Sequence, residues 1–147
     1  MKPMFFVDNK EIAIDVYVVY REEDGLIISA SGYPIGEDLI EGIIESKYTF
    51  YFTKPNFDDM SKYRQLSMYV DKISGKTIVN PFKLRNYIIL NHLRRWEGVT
   101  DADGNDLELN LDPDGTLSAT TLDLIYNINP SIMDVVMSLF EQKAMIF

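Results

Sequence analysis

Near the start of the chain, Ile12, Ile14, Val16 and Val18 occupy every second position of the run Glu11–Tyr20. A period of two is that of a β-strand with one buried face, and in a helix the same four side chains would fall on opposite sides. This run commits the first part of the molecule to a sheet, and a sheet with one apolar face needs a cover. Glu22-Glu23-Asp24-Gly25 carries turn chemistry, and Leu26–Ala30 reads as the returning strand of an antiparallel hairpin. Further on, Tyr48, Phe50 and Phe52 alternate with Thr49, Tyr51 and Thr53, and Lys54-Pro55 closes that strand. Between these strands, Leu39, Ile40, Ile43 and Ile44 stand at helical spacing, which predicts a short helix over residues 37–45 despite Gly42.

From Asn56 onward the period changes. Phe57, Met60, Tyr63, Leu66 and Val70 recur every three to four residues behind helix-start chemistry at Asn56 and Asp59, with Ser74-Gly75-Lys76 as the break. Asn80-Pro81 opens a second helix, whose stripe reads Phe82, Leu84, Ile88, Ile89, Leu93 and Trp96. Residues 97–117 are rich in glycine and acids and read as a loop, with Leu107, Leu109 and Leu111 alternating as a short strand. Ser118 can cap a helix holding Leu122, Ile125 and Tyr126. Asn129-Pro130 repeats the cap-and-proline device before Ile132, Val135, Val136, Leu139 and Phe140. Strands first and helices after predict an α+β fold: an N-terminal antiparallel hairpin or sheet with about four helices packed on it. The expected organisation is one domain over 1–147, mainly β to residue 55 and mainly α from 56, with an acidic loop at 97–117.

The inventory of reactive side chains is thin. Among 147 residues there is no cysteine and one histidine, His92. That removes disulfides, thiolate nucleophiles and multi-histidine or cysteine metal sites. No nucleophile-elbow or phosphate-loop glycine pattern accompanies His92. The expectation is a protein that binds and does no covalent chemistry, without a cofactor. No apolar run nears the roughly 20 residues that cross a bilayer. Lys2 is followed by Asp8 before a signal-peptide core could form, so the expected location is the cytoplasm.

The net charge of −9 is unevenly laid out. Residues 1–56 hold five basic and ten acidic side chains, 57–97 hold eight and four, and 98–147 hold one and nine. The total argues against nucleic acid as partner, and the basic middle segment reads as the solvent faces of two helices. In the acidic loop, Asn110, Asp112, Asp114, Gly115, Leu117 and Ser118 match six positions of a calcium-binding loop. Position twelve is Thr121, which supplies no bidentate carboxylate, and Pro113 stands at position four. A solvated acidic turn is therefore the preferred reading of these residues, with metal binding the lesser one.

Nine tyrosines and eight phenylalanines are more than a core of this size needs. Tyr48, Tyr51, Tyr63, Tyr69 and Trp96, with Met145 and Phe147 of the apolar tail, are the candidate protein-binding residues. Tyrosine and methionine are favoured at interfaces because they bury area adaptably.

Three stretches together resemble the tail assembly chaperones of tailed bacteriophages. They are the aromatic strand Lys47–Pro55 running into Asp58-Asp59, the segment Leu93-Arg94-Arg95-Trp96-Glu97-Gly98-Val99 entering Asp101–Asn105, and the helix around Leu122 followed by Asn129-Pro130 and a final amphipathic helix. The resemblance spans residues 47–142. It implies a non-enzymatic protein of the host cytoplasm that self-associates, coats the tape-measure protein and recruits tail-tube subunits. A structural virion component (neck, tail or decoration protein) and an acidic nucleic-acid mimic that inhibits a host enzyme are the alternatives.

Overall fold

The computed structural model describes residues 11–36 and 39–144. Its centre is a four-stranded antiparallel sheet in the order β2-β1-β3-β6, formed by β1 (Glu11–Arg21), β2 (Ile27–Ser31), β3 (Ile43–Thr53) and β6 (Leu93–Glu97). A short ribbon, β4 (Met68–Val70) with β5 (Thr77–Val79), stands apart from it. Four helices follow the N-terminal strands: α1 (Phe57–Ser67), α2 (Pro81–His92), α3 (Ala119–Tyr126) and α4 (Pro130–Ala144). The architecture is α+β, with most of the sheet ahead of the helices in the chain.

The alternation in β1 sets the register. Ile12, Ile14 and Val16 lie opposite Phe52, Phe50 and Tyr48, all on the inner face. Ile14, Val16, Phe50 and Phe52 are fully buried there. Helix α4 covers this face, with Phe140 against Phe52 at 4.5 Å between ring centroids, and Val136 and Phe140 are fully buried. The opposite face is polar and solvated, as one face of an antiparallel sheet can be. On it Thr49 donates to Asp15 at 2.8 Å, Arg95 stacks 3.6 Å over the Tyr51 ring, and Arg95 pairs with Glu11 at 3.2 Å.

The helix starts follow the capping rules. Asn56 accepts from the Asp59 amide while Asp59 accepts from the Asn56 amide, a complete capping box. Asn80 caps α2 with Pro81 in its first turn, and Ser118 caps α3 through the Thr121 amide. Arg85 of α2 reaches α4, donating to Glu141 at 2.8 Å and lying 3.8 Å from Asp134.

Four expectations are corrected. Of the helix expected over 37–45, residues 37–38 lie outside the described residues and 39–45 are not helical: Ile43 and Ile44 open β3 opposite Arg21 and Tyr20, because the eleven-residue β1 offers a full-length partner and β-branched side chains suit it. The apolar period from Phe57 does not run to Val70. Helix α1 ends at Ser67, Met68–Val70 become β4, and Ser74-Gly75-Lys76 is the turn of a hairpin rather than a gap between helices. Leu93 and Trp96 belong to β6, not to the stripe of α2; the chain leaves the helix at His92 and adds a strand to the edge of β3. Leu107, Leu109 and Leu111 form no strand; that stretch makes isolated bridges, Thr100 with Asp106 and Leu111 with Leu117.

Candidate protein-docking surface

Helices α1 and α2 lie side by side, with Asp59 near the start of one 3.9 Å from His92 at the end of the other. They therefore run antiparallel, and the β4–β5 ribbon joins their far ends, where the Asn80 amide donates to the Ser67 carbonyl at 2.9 Å. Every residue of the ribbon's two strands is exposed, on both faces. Met68, Tyr69, Val70, Ile78 and Val79 put apolar surface into solvent there, and Ile73 at the tip is 98% exposed. Phe57 and Phe82, at the starts of the two helices, are also exposed. An isolated two-stranded ribbon has little to hold it in water. Here the turn is built by one side chain: Asp71 accepts from the Ile73 amide and the Ser74 hydroxyl, while its own backbone pairs with Lys76 and Gly75. Those hydrogen bonds hold the Asp71 carboxyl below its ordinary pKa.

Two clusters of charged side chains are left without ion pairs. Arg85 and Arg95 are neutralised within the fold. Among the described residues, Lys72, Lys76 and Lys83 make no ion pair, nor do Asp103, Asp106, Glu108 and Asp112. Lysines without ion pairs thus flank the ribbon, and acids without them crowd the loop after β6.

That loop consists of two turns of one design. In Asp101-Ala102-Asp103-Gly104-Asn105, the Asp101 carboxylate accepts from the Asp103 and Asn105 amides at 2.9 Å. In Asp112-Pro113-Asp114-Gly115-Thr116, Asp114 accepts from the Thr116 amide and hydroxyl. These bonds depress the pKa of Asp101 and of Asp114. Of the calcium-loop candidates, Asp114 is engaged with Thr116 and Ser118 caps α3, while the main chains of Asn110 and Ser118 pair with each other. Among the described residues no group of three or more His, Asp or Glu side chains is placed to hold a metal ion.

Between the sheet and the start of α4 lies an apolar groove of about 340 Å³. Tyr48, Phe50, Val99, Leu107, Leu124 and Ile132 line it, and its rim at Thr100 is a foot of the first acidic turn. Gly98 makes the bend that leads into this loop: its φ is +89°, and a Cβ would stand 3.1 Å from the Lys47 carbonyl.

His92 closes the other end of the α1–α2 pair. The Tyr63 hydroxyl is 2.6 Å from Nε2 and the Thr53 hydroxyl 2.8 Å from Nδ1, so in either tautomer one nitrogen donates and the other accepts. Burial pushes the imidazole pKa down, opposed by Asp59 and assisted by Arg94. Burial and Asp59 together push the Tyr63 hydroxyl far up. The arrangement holds a neutral imidazole between two neutral hydroxyls, pinning α1, α2 and β3 together.

The candidate binding residues therefore separate. Tyr69 is exposed on β4, and half-buried Tyr48 lines the groove. Tyr51 is held on the sheet's open face by Arg95 and by Glu97, to which its hydroxyl donates at 3.0 Å. Tyr63 and Trp96 are corrected to core residues. Trp96 is 9% exposed and its indole donates to the Leu107 carbonyl at 2.7 Å, while the Tyr63 hydroxyl is taken by His92, so neither offers surface to a partner. Met145 and Phe147 lie outside the described residues. Ile73 was hidden in the sequence because it follows a period read as helix; the usable signal was the pair of short β-forming runs, Met68–Val70 and Thr77–Val79, around a turn.

Compared with protein-family models, with curated proteins and with solved structures, the chain matches none. Among the described residues no helix is long and apolar enough to cross a membrane.

Proposed function

We propose that this chain is a non-enzymatic protein-binding protein that serves assembly in the cytoplasm, in the manner of a phage tail assembly chaperone. Its partners are further copies of itself and an elongated apolar protein of the tape-measure kind. The observation that carries the reading is the β4–β5 ribbon, a preorganised sheet with both faces apolar and exposed. Such a surface pairs with extended or helical apolar segments and is a liability if left uncovered. The enclosed, fully bonded His92 supports a role without covalent chemistry. Asp101 and Asp114 are occupied in closing their own turns, which lends the nucleic-acid mimic less support.

The test is co-expression with the product of a neighbouring long coiled-coil gene. A soluble stoichiometric complex that is lost on Tyr69→Lys is the expected result. Failure to solubilise that protein, together with many copies of this chain in purified virions, would replace the chaperone reading with a structural virion component.

A further inference from the structure

Resting on that assembly reading, we infer that the β4–β5 tip of one copy docks into the apolar groove of a second copy, so that the chain stacks head to tail. The tip and the groove match in three respects. Ile73 is an apolar knob held fully out in solvent, and the groove beside Tyr48, Leu107 and Leu124 is an apolar hole of about 340 Å³, toward the small end for a ligand pocket. Lys72 and Lys76 flank the knob and make no ion pair among the described residues, while the groove's rim at Thr100 leads directly into the turn bearing Asp103 and Asp106, which are equally unpaired. Both partners are preorganised. Asp71 fixes the tip and Asp101 fixes the acidic turn by side-chain-to-backbone hydrogen bonds, so little conformational freedom is lost on docking.

The occupant is a second copy because Lys72 and Lys76 beside the knob complement Asp103 and Asp106 beside the groove. Made in one direction the contact is heterologous, and repeating it generates a ring or a filament; a reciprocal pair would close as a two-fold dimer, so wild type that stops at a dimer would overturn the stacking. Its strength should depend on salt, since the charged contacts lie at the rim.

The experiment is sedimentation velocity on the full chain, from micromolar to sub-millimolar concentration at low and high salt. Wild type is expected to grow beyond a dimer with concentration and to dissociate as salt is raised. Ile73→Asp removes the knob, and the double variant Asp103→Lys with Asp106→Lys inverts the rim. All three positions are exposed, and unchanged thermal unfolding would establish that each variant is folded. Each should weaken association by about tenfold or more. An equimolar mixture of the two should form a dimer and nothing larger, because one copy retains a groove and the other a tip. Monomeric wild type, variants that associate as wild type does, or a mixture without a dimer would each overturn the inference. A monomer that still solubilises the tape-measure protein leaves the assembly reading standing; one that does neither overturns both.

Discussion

His92 and Tyr63 place the protein's one imidazole inside the fold. The imidazole is buried with both nitrogens engaged, and its pKa is lowered, chiefly by burial. In the unfolded chain it titrates near 6.5. Below that pH the unfolded state binds a proton that the folded state resists, so stability falls as pH drops and is fully recovered above about 6.5. Urea unfolding at neutral pH and at mildly acidic pH should therefore give a lower midpoint in acid, and His92→Gln should flatten the difference. An unaltered slope in the variant would count against it. Tyr63→Phe leaves one imidazole nitrogen without its partner and should cost about 1–3 kcal/mol in the same assay. The hydrogen bonds were not visible in the sequence, where a lone histidine beside Arg94 reads as a surface or half-buried helix residue. Burial comes from Thr53, Asp59 and Tyr63, brought together by the antiparallel path of α1 and α2.

Among the elements, the ribbon and β6 were the hardest to foresee. Met68–Val70 continue the spacing of α1, and the competing signal is β propensity over three residues, too short to outweigh a helical period. Likewise Leu93 and Trp96 fit the stripe of α2, and long-range pairing with β3 decides for strand. By contrast β1, the Asn56, Asn80 and Ser118 caps and the stripe of α4 were legible, because each rests on local chemistry that tertiary structure did not need to override. Gly98 ends β6 in a left-handed conformation against Lys47, so Gly98→Ala should destabilise the fold by about 1–2 kcal/mol, measurable by chemical denaturation. The acidic turns are closed by their own hydrogen bonds. Millimolar calcium should accordingly leave the melting temperature unchanged, whereas a clear rise would restore the metal reading.

At the scale of the whole molecule, a well-covered core coexists with an uncovered arm. The inner face of the sheet is covered by α4 around Phe52, and Phe140→Ala there should cost about 3–5 kcal/mol. The arm adds nothing comparable to that core, so Ile73→Asp should barely change the unfolding midpoint while weakening association. Segregated charge and a small reactive inventory, both evident in the sequence, agree with this division between a stable body and a binding limb. The identity of the limb was not evident, since it depends on which of two periods wins over a dozen residues. Hydrogen–deuterium exchange on dilute and on concentrated protein addresses the central claim most directly. Amides of residues 68–79 and of 99–107 should gain protection together as concentration rises, with β1 and β3 unaffected. Exchange in both segments that stays the same at every concentration would contradict the account.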